Sequence, residues 1–239
     1  MNDPHVATLT YRVLESQSLE FSNPPDVLVD SADFKGRLSA SSLTLEPKQH
    51  YVSEADIRSI ADAFVRAWEI NAGLDYGWPH FRFRFEGSQV IDRQPSPKAL
   101  AVHLSTHLYV SVDVHAKLTG SNYPDPPQKF CLTPEVEAMW DRFCRYAEGQ
   151  EPLLSMAYFC LTLLVRGKLS EAAQHYAIHI DVLRKLGELT STRGDITTAR
   201  KLATNTVPLS GNEVAWIQAT IKAIIRHIAT AEPGKILNL

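Results

Sequence analysis

A proline-rich segment divides the chain into two halves whose hydrophobic periodicities differ. It runs from Thr119 to Phe130 and holds three prolines and a glycine, a composition that ends regular secondary structure. Strand-like alternation stops at this segment, and only helical patterning follows it. The sequence therefore predicts an N-terminal domain, a linker and a C-terminal domain, with bounds at residues 1–120, 121–131 and 132–239.

The first half alternates between apolar and polar residues in several stretches. The clearest is His80–Gly87, where phenylalanines at every second position alternate with His80, Arg82 and Arg84. A period of two over such a length is typical of strands with one buried and one solvated face, as in antiparallel sheets. The stretches that we predict to be strands are Val6–Leu14, Phe34–Pro47, His80–Gly87 and Thr106–Leu118.

A single helix is predicted between the second and the third of these strands. Ser53 can cap its N-terminus, with Asp56 three residues later in an approximate capping box. Apolar residues from Ile57 to Trp68 then recur at helical spacing, and Gly73 marks the expected end. The order strand, strand, helix, strand, strand predicts an antiparallel sheet with one packed helix.

The second half has helical patterning only. Thr133 and Pro134 begin one predicted helix, Leu153–Val165 forms an apolar one, and Ser210 with Glu213 makes a capping box for the last. The fold class predicted for the whole chain is thus α+β. It consists of an N-terminal antiparallel sheet with one packed helix, followed by a C-terminal all-α domain arranged as a helical bundle.

Composition excludes several classes of protein. The net charge of -3 gives no general attraction to nucleic acid or to anionic membranes. The longest apolar run, Leu153–Val165, has 13 residues, whereas a membrane span needs roughly 20. The three cysteines lack CxxC spacing and are predicted to be buried and inert: Cys131, Cys144 and Cys160. Because the sequence also lacks a signal peptide, we expect a cytoplasmic protein without membrane contact.

The segment Glu171–Leu189, EAAQHYAIHIDVLRKLGEL, supports two readings that exclude each other. As one unbroken helix, it places Glu171, His175 and His179 four residues apart on one face. These three side chains could then form part of the metal site of a metal-dependent enzyme. The HExxH motif is absent, because Tyr176 follows His175.

As two short helices with a turn near residues 177–179, the same segment has the spacing of a helix-turn-helix. Arg184 and Lys185 then point outward on the second helix, and the stretch Val182–Lys201 carries a local excess of positive charge that could contact phosphates. The turn is the favoured reading, because His179 can begin a second helix. The residues that this reading predicts to bind nucleic acid are Arg184, Lys185, Arg193, Arg200 and Lys201.

Other catalytic signatures are absent from the sequence. It has no GxSxG nucleophile elbow, no GxxxxGK[ST] phosphate loop and no GxGxxG after a strand. We therefore predict no catalytic residue and no cofactor. The leading prediction is a binding or interaction protein without a recognisable catalytic site, whose partner is a protein or a nucleic acid. The alternatives are a nucleic-acid-binding module that uses residues 170–189 and a metal-dependent enzyme.

Four stretches of the second half, AYFCLTLLVRG, VLRKLGELTSTRGD, ARKL and PLSGNEVAWI, resemble the C-terminal helical part of uncharacterised bacterial proteins, and this resemblance implies no activity. The second half is also similar to helical domains of the HEPN type. The ribonucleases among them share an arginine followed, after four to six residues, by a histidine. That pattern does not occur here, since Arg226 and His227 are adjacent and Arg166 lies nine positions before His175.

Overall fold

The computed structural model describes residues 2–15, 19–76, 81–94, 118–194, 207–230 and 235–239. The chain divides into two compact units, Met1–Gln128 and Lys129–Leu239. The first unit holds an antiparallel five-stranded sheet with one helix, and the second holds helices. The predicted α+β class is therefore confirmed. Most of the strand predicted at Thr106–Leu118 lies outside the described residues.

The strands of the N-terminal unit are β1 (Pro4–Glu15), β2 (Leu19–Phe21), β3 (Val27–Asp30), β4 (Phe34–Ser39), β5 (Ser42–Pro47), β6 (Phe81–Asp92) and β7 (Leu118–Gly120). Five of them form one sheet in the order β3-β4-β5-β1-β6, and every neighbouring pair in it is antiparallel. The other two, β2 and β7, pair in parallel with each other. Strand β1 lies between β5 and β6, so its register fixes which side chains share each face of the sheet.

One helix, α1 (Glu54–Tyr76), packs on one face of the five-stranded sheet. Its residues Ile57, Ala61 and Trp68 are fully buried. On β6, Arg82 and Arg84 are exposed. The residues that alternate with them turn into the same core as the helix: Phe81, Phe83 and Phe85. The alternation predicted for this strand is confirmed, and it separates a buried face from a charged one.

A partly buried hydrogen-bond network holds α1 against β1. The Tyr11 hydroxyl donates to Asp62 over 2.7 Å, and Arg58 donates to both oxygens of the same carboxylate at 2.8 Å. The Arg58 guanidinium also lies 3.4 Å from the centre of the Phe85 ring. Burial, together with the Asp62 carboxylate, raises the pKa of Tyr11. The phenol therefore stays protonated and keeps donating its hydrogen bond.

A second polar contact joins α1 to β6. The Glu69 carboxylate accepts the backbone N–H of Phe83 over 2.7 Å and is paired with Arg66 at 3.1 Å. Burial raises the pKa of Glu69, although the Phe83 N–H and Arg66 act in the opposite direction. Desolvation of the charged carboxylate is thus the dominant effect on this side chain.

The raised pKa of Glu69 predicts a pH-dependent contribution to stability. The Glu69 carboxyl binds its proton more tightly in the folded protein than in the unfolded chain. The protonated side chain therefore contributes favourably to the free energy of unfolding below the ordinary pKa of about 4.3. This contribution is lost as the pH rises through the folded pKa. In urea titrations from pH 4 to pH 7, the free energy of unfolding of Glu69→Gln should therefore rise relative to that of the wild type. The variant Glu188→Gln, at an exposed position, serves as the control. A difference in free energy of unfolding between Glu69→Gln and the wild type that does not vary with pH would contradict the raised pKa of Glu69.

Strands β4 and β5 form a hairpin that the sequence reading treated as one stretch. Its two central residues, Ala40 and Ser41, have φ angles of 46° and 62°. Positive φ at both positions is the type I′ pattern, which normally selects Asn-Gly. This turn lacks that signature, which explains why the hairpin was missed. The Ser41 N–H donates to the Tyr123 hydroxyl over 2.8 Å, so a side chain distant in sequence supports the turn.

The proline-rich segment contributes directly to the N-terminal unit. Tyr123 is 3% exposed and belongs to its core, where its ring centre lies 4.8 Å from that of Phe21. The indole Nε1 of Trp68 donates to the Pro124 carbonyl over 3.1 Å. Residues up to Gln128 belong to this compact unit, so the first part of the predicted linker at 121–131 is packed against the sheet and helix.

The helices of the C-terminal unit are α2 (Pro134–Ala147), α3 (Leu153–Leu164), α4 (Leu169–His175), α5 (Ile180–Thr192) and α6 (Gly211–Thr230). Both predicted caps are confirmed. Thr133 accepts the Val136 N–H at the start of α2. Ser210 and Glu213 exchange backbone hydrogen bonds at the start of α6. Within the described ranges, no single helix combines the length and the apolar character that crossing a membrane requires.

Candidate functional site

The chain bends between α4 and α5. Helix α4 ends at His175, and Ala177 adopts a left-handed φ of 51°. The Ile178 N–H then donates back to the Ala173 carbonyl over 2.9 Å, which is the hydrogen bond of a Schellman motif. The interpretation of this segment as one unbroken helix is therefore wrong. The favoured turn is present, although alanine occupies the position that usually holds glycine.

The C-terminal residues of the chain hold this turn. The Leu237 N–H donates to the Ala177 carbonyl over 2.9 Å, and the His179 N–H donates to the Leu237 carbonyl over 2.8 Å. The His227 side chain lies 3.0 Å from the Tyr176 carbonyl. The backbone groups of the turn are therefore paired within the unit, and the angle between the two helices is fixed by tertiary contacts.

The bend separates the three residues of the proposed metal stripe. Glu171 is paired with Lys168 at 3.7 Å, and the exposed His175 ring packs edge-on against Tyr176. His179 caps α5, because its Nδ1 accepts the Asp181 N–H at 3.3 Å. In the part of the chain that the structure describes, no three or more His, Cys, Asp or Glu side chains are grouped to hold a metal ion. The helical spacing that motivated the metal site is lost.

The basic residues predicted to contact nucleic acid already have partners inside the unit. Arg184 is paired with Asp181, and the Lys185 ammonium lies 4.0 Å from the centre of the Trp216 ring. Arg193 is paired with Glu213 at 3.0 Å. A phosphate would therefore have to compete for these cations. The remaining two residues of the predicted set, Arg200 and Lys201, lie outside the described residues.

The cysteines differ in environment. Cys144 and Cys160 are buried, as predicted, but Cys131 is exposed, so the prediction is wrong for that residue. It precedes α2, and its backbone N–H donates to the Ala229 carbonyl over 2.7 Å. Burial raises the pKa of the Cys160 thiol to about 12, which makes that thiol a poor nucleophile.

The side of the five-stranded sheet opposite α1, called here the outer face, carries a second candidate site. Residues paired across an antiparallel ladder lie on the same face. The buried pair Leu9–Leu45 faces the helix, so the flanking residues on β1 and β5 face outward. The same register places Arg12 directly opposite Arg84. Two like charges side by side on adjacent strands are unfavourable unless an anion lies nearby.

Basic side chains continue across the outer face as a diagonal band. Leu14 pairs with Arg82 on β6, and Thr44 of β5 pairs with Arg37 on β4. The next outward residue of β4 is Lys35, opposite Glu46. All five basic residues are exposed. The basic band is defined by Arg82, Arg84, Arg12, Arg37 and Lys35.

Hydroxyl groups and carboxylates accompany the band. The hydroxyl side chains on outward positions next to it are Thr10, Ser39, Ser42 and Thr44. Arg12 is paired with Glu86, and Arg37 lies 3.5 Å from Asp26 in the preceding loop. The described outward positions thus carry five basic residues and three acidic ones, the latter being Asp30, Glu46 and Glu86.

The helix layer has the opposite charge. Helix α1 carries two arginines and five acidic residues, which are Glu54, Asp56, Asp62, Glu69 and Asp75. One layer of the unit is therefore acidic and the other basic, although the chain as a whole has a net charge of only -3. Sequence reasoning missed this separation, because it depends on strand register. The only visible signal was the arginine alternation at Arg82 and Arg84.

Comparison with known proteins adds no assignment. No family model matches the chain, and neither a curated protein nor a solved structure matches it.

Proposed function

We propose that this chain is a binding protein without a catalytic site, and that it engages an anionic partner through the outer face of its N-terminal sheet. The observation that carries the proposal is the direct pairing of Arg12 with Arg84 within an exposed basic band. Such a pair is unfavourable by itself. The Glu86 carboxylate, paired with Arg12, offsets part of that cost, and an anionic partner would add to this stabilisation.

The surroundings of the band support binding in preference to chemistry. Its outward neighbours on β1 and β5 next to the arginines are mainly hydroxyl and aliphatic side chains. The carboxylates beside the band, Asp30, Glu46 and Glu86, lie opposite or are paired with its cations. The guanidinium group stays protonated and presents several donors in a fixed plane, so it suits anion recognition. The face also lies on paired strands, which position side chains more rigidly than a loop does.

Retention on immobilised heparin at low salt tests the proposal. The wild-type protein should be retained despite its net negative charge, because the basic band concentrates positive charge locally. The double charge reversal Arg82→Glu with Arg84→Glu should elute at the lowest salt. The matched control, Arg145→Glu with Lys168→Glu, reverses two exposed charges in the C-terminal unit and should elute like the wild type. Equal retention of both variants would overturn the proposal.

A second candidate function is nucleic-acid binding through α4 and α5. The observation that favours it is the turn at Ala177, which gives this segment the helix-turn-helix connection. If this surface binds DNA, the double variant Arg184→Ala with Lys185→Ala should bind DNA more weakly, and its affinity should depend less on salt concentration. Unchanged affinity of that variant in a salt titration with mixed-sequence DNA would reject this surface.

A further inference from the structure

We infer that the anionic partner of the outer face is the phosphate backbone of a single-stranded nucleic acid. This inference rests on the proposed function, since it names the class of ligand for the same surface. Four of the five cations in the basic band are arginines. Arginine binds phosphate through two parallel hydrogen bonds, which a lysine ammonium cannot do.

The hydroxyl groups beside the band match the same ligand. Ser42 pairs with Arg12, and Thr44 lies between Thr10 and Arg37 across the ladder. Serine and threonine hydroxyls donate to phosphate oxygens in nucleic-acid complexes, beside the arginine contacts. The centre of the outer face therefore offers neutral hydrogen-bond donors between two groups of cations.

The path of the band fits an extended chain of charges. It crosses from β6 over β1 and β5 to β4 and advances along the strands as it does so. With strands about 4.8 Å apart and about 3.4 Å per residue, the band is roughly 25 Å long. That length accommodates several consecutive phosphates, whereas a small anion would contact only one part of it.

The shape of the face indicates a single strand that is held by its backbone. Reading a duplex groove requires a protruding helix or ribbon, and the band lies on the face of a five-stranded sheet. The outward residues paired with the band are Leu14, Leu28, Asp30, Ser42, Thr44 and Glu46. None of these is an aromatic side chain on which a base could stack. Binding should therefore depend on phosphates and not on base identity.

Fluorescence anisotropy with a labelled mixed-sequence DNA strand of about 20 nucleotides tests the inference. The logarithm of the binding constant should fall with the logarithm of salt concentration with a slope of about -3.5, as one phosphate contact for each of the five cations predicts. The variant Arg82→Thr with Arg84→Thr keeps strand-forming residues at both positions. It should bind at least tenfold more weakly and reduce the slope by about 1.4.

Two further variants keep the experiment decisive. Arg37→Thr alters the other end of the band on a different strand and should also weaken binding, so misfolding at β6 cannot account for both results. The control Arg145→Ala with Lys168→Ala removes two exposed charges from the C-terminal unit and should bind within twofold of the wild type.

The outcomes separate the two levels of the proposal. Loss of DNA binding in Arg184→Ala with Lys185→Ala, but not in the band variants, would overturn this inference in favour of the second candidate surface. If the wild type does not bind single-stranded DNA while its retention on heparin still requires Arg82 and Arg84, the proposed function stands and the nucleic-acid assignment fails. Affinity that changes more than about tenfold between oligo-dT and oligo-dA would contradict recognition of the backbone alone.

Discussion

Replacing Gly36 with alanine should lower the free energy of unfolding of the N-terminal unit by about 3 kcal/mol. A Cβ atom on Gly36 would lie 2.2 Å from the Thr44 carbonyl oxygen and 3.1 Å from Leu45 Cδ2. The first of these neighbours is backbone of β5, so the clash is relieved only by separating β4 from β5. The loss is measured by urea denaturation and by faster hydrogen exchange over residues 34–47.

Gly87 provides the matched control for this substitution. It also lies in a strand of the same sheet, but a Cβ atom there would meet nothing within 4 Å. Gly87→Ala should therefore change the free energy of unfolding by no more than about 0.5 kcal/mol, with a small gain expected from the less flexible unfolded chain. Equal destabilisation by the two variants would show that the close approach of β4 and β5 is not the cause.

Truncating Tyr123 to alanine should cost about 4 kcal/mol. The side chain is 3% exposed, packs against Phe21, and accepts the Ser41 N–H at 2.8 Å. Alanine would leave a cavity in the core and an unpaired donor at a turn whose residues already have unfavourable positive φ angles. Denaturation followed by far-ultraviolet circular dichroism measures the loss.

The variant Tyr123→Phe separates the two contributions. It keeps the ring in the core and removes only the hydroxyl acceptor, so a loss of about 1–2 kcal/mol is expected. Hydrogen exchange at the Ser41 amide should accelerate in both variants. If Tyr123→Ala is as stable as the wild type, the proline-rich segment does not contribute to the core and acts as a free linker.

Much of the fold could be predicted from local patterns. Alternation at Phe81, Phe83 and Phe85 identified a strand and its buried face, and helical spacing from Ile57 to Trp68 identified α1. The caps at Thr133 and Ser210 located two further helices. These signals succeed because each depends on neighbours within about one or two turns of chain.

The missed features depend on contacts between distant residues. The hairpin turn at Ala40 and Ser41 lacks glycine and is supported by Tyr123, which is 82 positions from Ser41. The turn at Ala177 was predicted, but its partner Leu237 was not. Local residue chemistry predicted neither stabilising partner. In both places a tertiary hydrogen bond supports a conformation that local propensity disfavours.

The candidate site was hidden for the same reason. The sequence shows Arg12 and Arg84 as isolated residues far apart, and only the pairing of β1 with β6 brings them together. The cations that sequence proximity had grouped, Arg184 and Lys185, are engaged by Asp181 and Trp216 in the folded unit, as Arg12 is by Glu86. Charge density along the chain therefore differs from charge density on the surface.

An amide chemical-shift titration of the isotope-labelled chain with single-stranded DNA tests the central claim most directly. If the outer face binds the DNA, the largest amide shifts should fall on β1, β4, β5 and β6, centred on Arg12, Arg37 and Arg84. The shifts along α1 should be small. Shifts that concentrate on α4 and α5, or that spread evenly over both units, would contradict the assignment of the outer face as the binding surface.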